Sequence, residues 1–245
     1  MKTLLPFFLL LFIISACTKE PTAEEILTSA IKAHGGDRVY NSTVAFDFRD
    51  KHYVGVYKDG KYELSRNFSD TLDNKIVNVL TNDEFKRSIN DTIVALSDKW
   101  VASYSNSVNS VFYFLKLPFN LKDEAVVLTY IGEGTIENKA YYKLKVTFGE
   151  AGGGEDFDDI FVYWFNKETY TLDYFAYEYA TSGGGKRFRK AFNQRSVNGW
   201  LMSDFINYKP KDLKVDIADY DTYFAKDGLK KLSEIVNRNV EVTYN

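Results

Sequence analysis

The chain begins with a short apolar stretch and then takes on the spacing of an amphipathic helix. After residue 22 the apolar residues recur at intervals that place them on one helical face: Ala23, Ile26, Leu27, Ala30 and Ile31. Thr22 precedes this run, and Glu25 lies three residues after Thr22, which is the pattern of a capping box. Gly35 and Gly36 are a typical C-terminal stop. The pattern predicts a helix between Thr22 and Gly35.

From residue 44 the hydrophobic period changes to two, the period of a β-strand. Val44, Phe46 and Phe48 alternate with other residues, and Asp59-Gly60 predicts a hairpin turn. Similar patterns predict strands over residues 53–57, 62–66, 74–79, 84–90, 92–96, 125–131, 140–148, 160–165, 172–181, 187–197, 200–208 and 236–244. Short turns separate most of them, so we expect antiparallel pairing.

Residues 108–119 interrupt the alternation. Val108, Phe112 and Leu115 share a helical face, while Tyr113 and Phe114 make the other side apolar as well. A helix that is apolar nearly all round has to be buried on both sides. We therefore expect a lid helix across the open face of a curved sheet, in a fold that is mainly β (α+β).

The N-terminus has the pattern of an exported lipoprotein. Lys2 precedes the apolar residues 4–14, a stretch shorter than the ~20 residues that span a bilayer. Ile14-Ser15-Ala16-Cys17 follows and resembles a lipobox, in which the cysteine is lipidated and the chain is cleaved before it. The sequence thus predicts a signal peptide over residues 1–16, a lipidated tether over 17–21 and a single β domain over 22–245. Thr18 after the cysteine favours the outer membrane by analogy.

Composition narrows the classes of partner. The chain has 31 basic and 34 acidic residues, for a net charge of −3, which argues against a nucleic-acid partner. Contact with a membrane is expected through the lipid anchor alone. Cys17 is the only cysteine, so no internal disulfide is possible. Aromatic residues make up 16% of the chain, and such rings fill wide cores or line apolar pockets.

Several segments resemble known envelope proteins. Ala33-His34-Gly35-Gly36 after the capped helix resembles the opening of outer-membrane lipoprotein-sorting (LolA/LolB-like) proteins. Residues 113–119, 145–150 and 168–174 resemble a narrower family of bacterial envelope lipoproteins that has no established activity. The resemblance covers most of the chain after the tether. It implies a half-open antiparallel β-barrel whose apolar concave side is covered by helices. In LolA and LolB that concave side holds lipid acyl chains.

No pattern in the sequence predicts catalysis, a metal or a cofactor. His34 and His52 are the only histidines, too few for a zinc cluster, and no G-x-S-x-G motif supplies a nucleophile for either to activate. The acidic stretch Glu150, Glu155, Asp156, Asp158 and Asp159 does not have the order of an EF-hand loop. Residues 149–154 and 183–187 lack the spacing of phosphate-binding loops and are typical of hairpin tips. We expect a protein that is not an enzyme.

The remaining question is what the aromatic rings enclose. Strands 160–165 and 174–179 carry bulky residues on both faces, so both faces need a cover: the lid helix on the concave side, and the N-terminal helix or a partner on the convex side. A loose lid would leave a pocket for a lipid, an acyl chain or another hydrophobic ligand. A tight lid would leave a solid module that docks an envelope protein or a glycan. The candidate cavity residues are Phe46, Phe48, Val56, Phe112, Leu115, Phe119, Trp164 and Phe175.

Overall fold

Most of the structure consists of antiparallel hairpins. The structure is a computed structural model, and it describes residues 20–149, 158–180 and 183–245. Within these ranges the helices are α1 (Ala23–His34), α2 (Asp98–Leu115) and α3 (Tyr220–Ala225). The strands are β1 (Ser42–Phe48), β2 (Lys51–Lys58), β3 (Lys61–Ser69), β4 (Lys75–Thr81), β5 (Phe85–Ile89), β6 (Thr92–Ile93), β7 (Val126–Ile136), β8 (Lys139–Phe148), β9 (Ile160–Asn166), β10 (Leu172–Tyr179), β11 (Gly185–Val197), β12 (Trp200–Pro210), β13 (Leu229–Ile235) and β14 (Asn237–Tyr244).

The strands form two antiparallel sheets of seven strands each. The first sheet has the order β14-β1-β2-β3-β4-β5-β6 and the second the order β13-β12-β11-β10-β9-β8-β7. The chain passes from the second sheet to the first between β13 and β14, which are separated by a single residue. The opposite edges, β6 and β7, do not pair with each other in this part of the chain. The predicted fold class, a mainly β half-open antiparallel barrel with an N-terminal helix and an apolar lid helix, is confirmed.

A buried carboxylate holds the corner where the two sheets meet. Asp204 on β12 is fully buried, and its Oδ1 accepts a hydrogen bond from the backbone N–H of Asn237 at 3.0 Å. Its Oδ2 accepts from Asn193 at 2.7 Å and from Nη1 of Arg195 at 3.1 Å. These four polar groups satisfy one another in the interior, where an unpaired charge would be costly. They fix the start of β14 against the second sheet.

Helix α1 closes one end of the main core. Its capping box is formed as predicted, with Thr22 and Glu25 each bonded to the other's backbone N–H. His34 in the last turn is buried: its Nδ1 lies 2.7 Å from the carbonyl of Ala30, and its Nε2 accepts from the backbone N–H of Leu172. Because Nε2 accepts, the ring is neutral with its proton on Nδ1. Burial lowers the pKa of His34, which keeps it so.

The second sheet is buried on both faces. Side chains alternate along β9, with Phe161 and Tyr163 in the main core and Val162 and Trp164 in a smaller outer core. The outer core is covered by α3 and by the short 3-10 turn before it, Ile217–Asp219. The expectation that α1 or a partner covers this side is therefore wrong. The segment that does cover it lacks a long apolar period, so its sequence gave no helical signal.

Candidate ligand-binding site

Helix α2 lies across the concave side and is held more closely by the first sheet than by the second. At Gly55 on β2, a Cβ atom would come within 2.8 Å of the Phe112 ring, so only glycine permits this approach. The Phe112 ring packs edge-on against Phe46 and Tyr53, with centroids 5.6 and 5.9 Å away. In the polar half of the helix, Arg66 of β3 donates to Ser107 Oγ at 2.7 Å. The helix is therefore fixed to β2 and β3.

Toward the second sheet, α2 leaves a cavity of about 330 Å³, which we call the aromatic cavity. Most of its lining consists of aromatic rings from α2 and from strands β8 to β10. The described residues around it are Asn106, Asn109, Ser110, Tyr113, Phe114, Phe148, Asp159, Phe161, Tyr177 and Tyr179. The α2 residues Asn106, Asn109 and Ser110 are exposed, so the cavity opens to solvent beside the helix. On this side α2 contacts the second sheet through the Tyr113 and Phe114 rings, and the cavity lies beside these contacts.

A second cavity, which we call the arginine cavity, lies on the same side of α2 near its C-terminal end. It has a volume of about 230 Å³. Two arginines and several amides and hydroxyls lie among apolar side chains here: Phe48, Arg49, Ser110, Val111, Phe114, Leu115, Arg189, Phe205, Asn207, Ser233, Ile235 and Asn237. Ser110 and Phe114 line both cavities. The two spaces are therefore neighbours.

The Phe114 ring is the partition between them. It stacks on Phe175 at a centroid distance of 5.7 Å and tilts against Tyr177 at 5.5 Å. The guanidinium carbon of Arg189 lies 3.9 Å from its centroid. The ring is partly buried and borders both cavities.

A third and more polar space lies between α2 and the first sheet. This tyrosine cleft has a volume of about 510 Å³ and is lined by Tyr40, Tyr57, Gly60, Lys61, Tyr62, Leu64, Asn82, Asn109, Phe112, Tyr113, Lys116, Asn120 and Asp123. The ammonium of Lys116 lies over the Tyr57 ring at 4.3 Å and near the Tyr40 ring at 5.3 Å. Burial lowers the pKa of Lys116, and it raises the pKa of Tyr40 to about 12.

The eight residues proposed from the sequence fall into three groups. Phe48 and Leu115 line the arginine cavity, and Phe112 borders the tyrosine cleft. The next group is fully buried: Phe46 and Phe175 pack against Phe112 and Phe114 of α2, and Phe119 begins the 3-10 turn after α2 and packs against Tyr40 and Trp200. The last two residues lie elsewhere. Val56 is half-buried on the outer face of the first sheet, between the inward-facing Gly55 and Tyr57, and Trp164 belongs to the outer core.

Metal and membrane features can be stated for the described ranges. There, no group of three or more histidine, cysteine, aspartate or glutamate side chains is placed to hold a metal ion. His52 is exposed and its Nδ1 lies 2.7 Å from Asp47. Of the acidic stretch, Glu150, Glu155 and Asp156 lie outside the described residues, as do residues 1–19 with Cys17. None of the helices described is long and apolar enough to cross a membrane.

The comparison with protein families is decisive for classification. Residues 2–237 match a family of unknown function, DUF6503. The chain belongs to this family. In sequence, no curated protein matches it.

Solved structures similar to this DUF6503 member include LolA superfamily proteins, as the sequence motifs predicted. The LolA superfamily protein NE2245 from Nitrosomonas europaea has 11% identity and a TM-score of 0.48, over 91% of this chain and 92% of that one. An outer-membrane lipoprotein-sorting protein domain from Vibrio parahaemolyticus has 6% identity and a TM-score of 0.47, over 91% and 92%. The lipoprotein LppX of Mycobacterium tuberculosis has 11% identity and a TM-score of 0.28, over 63% and 88%. At these values the similarity does not identify a ligand.

Sequence reasoning missed the most polar part of the site in this DUF6503 member. Arg189, Asn207 and Ser233 lie in one row across β11, β12 and β13, because each is the register partner of the next. The signal was present on β11, where Arg187, Arg189 and Ala191 alternate with Phe188 and therefore share one face. A charged residue at such a position is unusual for a core face, and this alternation could have singled it out.

Proposed function

We propose that this protein is a non-enzymatic binding protein for a hydrophobic ligand, a lipid or an acyl chain, which occupies the aromatic cavity. One observation carries the proposal: α2 is held closely on the first sheet and leaves an aromatic-lined space open toward the second. Of the residues predicted from the sequence, we retain Phe46, Phe48, Phe112, Leu115, Phe119 and Phe175 as lining or supporting the site. Val56 and Trp164 are left out because of their positions.

The size and lining of the aromatic cavity suit such a ligand. Its volume of about 330 Å³ falls within the range of roughly 300–1,000 Å³ of small-molecule sites. Six of the residues that line it are aromatic: Tyr113, Phe114, Phe148, Phe161, Tyr177 and Tyr179. Each methylene that leaves water for such a surface contributes about 0.8 kcal/mol. A hydrocarbon tail therefore needs no further specific contact to bind there.

The first test is to identify what the protein carries. The full-length protein is purified from its membrane, digested after the tether, and the released domain is extracted with organic solvent for lipid mass spectrometry. We expect a stoichiometric hydrophobic molecule, and we expect the extracted domain to take up a fluorescent fatty acid. Clean extracts together with no uptake would refute the proposal.

A second test places the ligand. Ser110 is exposed on α2 and lines both cavities, so Ser110→Trp puts an indole into the opening. We expect this variant to lose uptake of the fluorescent fatty acid while its thermal unfolding stays close to that of the parent. Ser103→Trp is the matched control, because Ser103 is exposed on the same helix and lines neither cavity. Equal uptake by both variants would place the ligand elsewhere.

We further propose that the binding domain is tethered to the bacterial envelope, at the outer membrane, by lipid on Cys17. The supporting observation is the order Lys2, apolar stretch, small residues and cysteine at the N-terminus. Metabolic labelling with palmitate is expected to mark the parent protein, and Cys17→Ala is expected to abolish the label. Density-gradient separation of the membranes then shows which membrane holds the protein. Label that persists on Cys17→Ala would contradict this anchoring.

The tyrosine cleft favours a second candidate, glycan binding. Its tyrosine rings can stack on a sugar face, and Asn82, Asn109 and Asn120 offer amides for hydroxyl groups. Asn120 Oδ1 is buried without a hydrogen-bond partner among the described residues. Saturation-transfer NMR with envelope oligosaccharides tests this candidate, and Tyr57→Ala is expected to remove the signal. No transfer to any oligosaccharide would exclude it.

A further inference from the structure

Arg189 is a charged side chain in the interior of the concave side. It is 8% exposed, and its strand neighbours on this face are Phe175 of β10 and Asn207 of β12. Three aromatic rings surround the guanidinium: the Phe114 ring lies 3.9 Å from its carbon, and those of Phe175 and Tyr177 lie 5.4 Å away. Such rings attract a cation but do not neutralise it.

The hydrogen-bonding capacity of this guanidinium is largely unused. Nη2 donates to the hydroxyl of Tyr177 at 3.0 Å, while Nε is buried without a partner. Over residues 20–149, 158–180 and 183–245, none of the ion pairs within 4.0 Å involves Arg189. A buried charge without a counter-charge destabilises a fold. Burial also lowers the pKa of Arg189, although a guanidinium stays protonated.

The cavity next to it has the composition of an anion site. Arg49 and Arg189 both line the arginine cavity, and no aspartate or glutamate of the described chain does. Asn207 Nδ2 donates to Ser233 Oγ at 3.4 Å, and Asn207 Oδ1 is buried without a partner. A half-turn of an amide group exchanges the positions of its nitrogen and its oxygen. Rotating this amide lets Ser233 donate to Oδ1 and frees Nδ2 to donate to a ligand.

Apolar groups complete the lining and connect it to the neighbouring space. Val111, Leu115, Phe205 and Ile235 surround the polar row, and Phe114 forms the boundary with the aromatic cavity. A small free anion would leave these groups in contact with water. A molecule with an anionic head and a hydrocarbon tail would cover both kinds of surface.

We propose that the arginine cavity binds the anionic head, a carboxylate or a phosphate, of an amphiphile whose tail lies past Phe114 in the aromatic cavity. The inference rests on the proposed function and specifies the class of ligand. Arg189 is the principal recognition residue, because a planar guanidinium donates two parallel hydrogen bonds to a carboxylate or phosphate. Asn207 and Arg49 complete the contact with the head group.

The test compares ligands that differ only in the head. The delipidated domain is titrated by calorimetry with dodecanoate, dodecyl phosphate, dodecanol and acetate, below the concentrations at which the amphiphiles form micelles. Since a hydrogen bond to a charged group corresponds to about tenfold or more in affinity, we expect dodecanoate to bind at least tenfold more tightly than dodecanol. Equal affinity for dodecanoate and dodecanol overturns the inference and leaves the proposed function intact. Absence of binding by all three twelve-carbon ligands overturns both, and acetate binding as tightly as dodecanoate overturns the need for a tail.

Variants assign the preference to one residue. Arg189→Gln is expected to lose the tenfold preference for dodecanoate while keeping the parent's affinity for dodecanol. Arg187→Gln is the matched control: it removes the same charge from the same face of β11, but Arg187 lines neither cavity. Retention of the preference in Arg189→Gln, or its equal loss in both variants, would contradict the assignment. The unliganded Arg189→Gln domain is expected to unfold at or above the parent's temperature, so a loss of binding is separable from a loss of fold.

Discussion

The length of the hydrocarbon tail is the most direct probe of the aromatic cavity. If the tail lies in the cavity, each added methylene leaves water, and the affinity increases by about 0.8 kcal/mol, or about fourfold in Kd at 25 °C. The perturbation is a series of saturated carboxylates from six to eighteen carbons. The head group stays constant, so only burial of the tail changes along the series.

The cavity volume sets the length at which this increase stops. At about 24 cal/mol per Å³, filling the 330 Å³ of the aromatic cavity contributes at most about 8 kcal/mol. This ceiling corresponds to about ten methylenes at ~0.8 kcal/mol each. We therefore expect Kd to fall steeply up to roughly twelve carbons and to change little beyond that, because further methylenes remain in water.

Isothermal titration calorimetry of the delipidated domain measures the series, again below the micelle-forming concentrations. Burial of the tail also predicts a negative heat-capacity change that grows with chain length up to the same limit. Ser110→Trp is expected to abolish binding of the whole series, whereas Ser103→Trp leaves both the affinities and the limit in place. A Kd that varies by less than about 1.5-fold per methylene over the short members would refute the reasoning, since burial predicts about fourfold. A Kd that keeps falling up to eighteen carbons would refute the volume.

Three further predictions concern the scaffold. Asp221→Ala leaves the ammonium of Lys143, 3.1 Å from the carboxylate, without a counter-charge in the outer core, so we expect the free energy of unfolding to fall by about 3–5 kcal/mol. The double variant Lys143→Met with Asp221→Leu removes both charges and is expected to change it little. Urea titration measures both variants, and equal losses would contradict a buried pair. Burial lowers the pKa of His34 below 6.5, so the folded state keeps the ring neutral while the unfolded state binds a proton. The stabilisation is therefore complete above about pH 6.5 and falls by up to about 1.4 kcal/mol per pH unit below it. Unfolding measured between pH 5 and 7.5 is expected to show this slope in the parent and in His52→Gln but not in His34→Gln. Gly55→Ala forces the Phe112 ring away from β2 and is expected to lower the free energy of unfolding by about 1–3 kcal/mol. Adding Phe112→Leu is expected to recover part of the melting temperature, and a simple sum of the two losses would contradict the close contact.

Much of the fold was accessible from local patterns. The capping box at Thr22, the alternation in β1 and the bulky residues on both faces of β9 depend on neighbours in sequence, so they were predicted correctly. Helix α2 was predicted only from residue 108, although it begins at Asp98, because its first half is mostly polar and is held by contacts distant in sequence, those of Ser107 with Arg66 and of Tyr104 with Phe85. Residues 94–96 were predicted as strand and are not in one: β6 ends at Ile93.

The edge strand β13 and the helix α3 that covers the outer core were the parts that could not be predicted. Strand β13 carries lysines and a glutamate on exposed positions, and its strand character comes from pairing with β12 rather than from its own composition. Helix α3 has only six residues and is held by Tyr220 and by the Lys143–Asp221 pair. Both depend on contacts distant in sequence. The alternation on β11 indicates the inward position of Arg189, but the rings around it come from α2 and β10, and the sequence does not show that they meet there.

The outer core stabilises the second sheet on one face, and the other face lines the aromatic cavity. Trp164, Tyr174 and Phe188 pack on its outer side beneath α3, so the strands stay ordered whether or not the inner side is filled. On the inner side, Phe161 and Tyr177 contact Tyr113 and Phe114 of α2 and also line the aromatic cavity. A sheet covered on one face only would have to pack its inner rings tightly to remain folded, and would leave no room for a ligand.

An outer-core substitution such as Phe188→Leu should therefore lower the melting temperature of the unliganded domain. At a temperature where the domain is folded, its affinity for dodecanoate should stay within about twofold of the parent's, as expected for sites with no shared contacts. If Phe188→Leu lowered the melting temperature and the affinity for dodecanoate together, the inner face of the sheet would depend on the outer core.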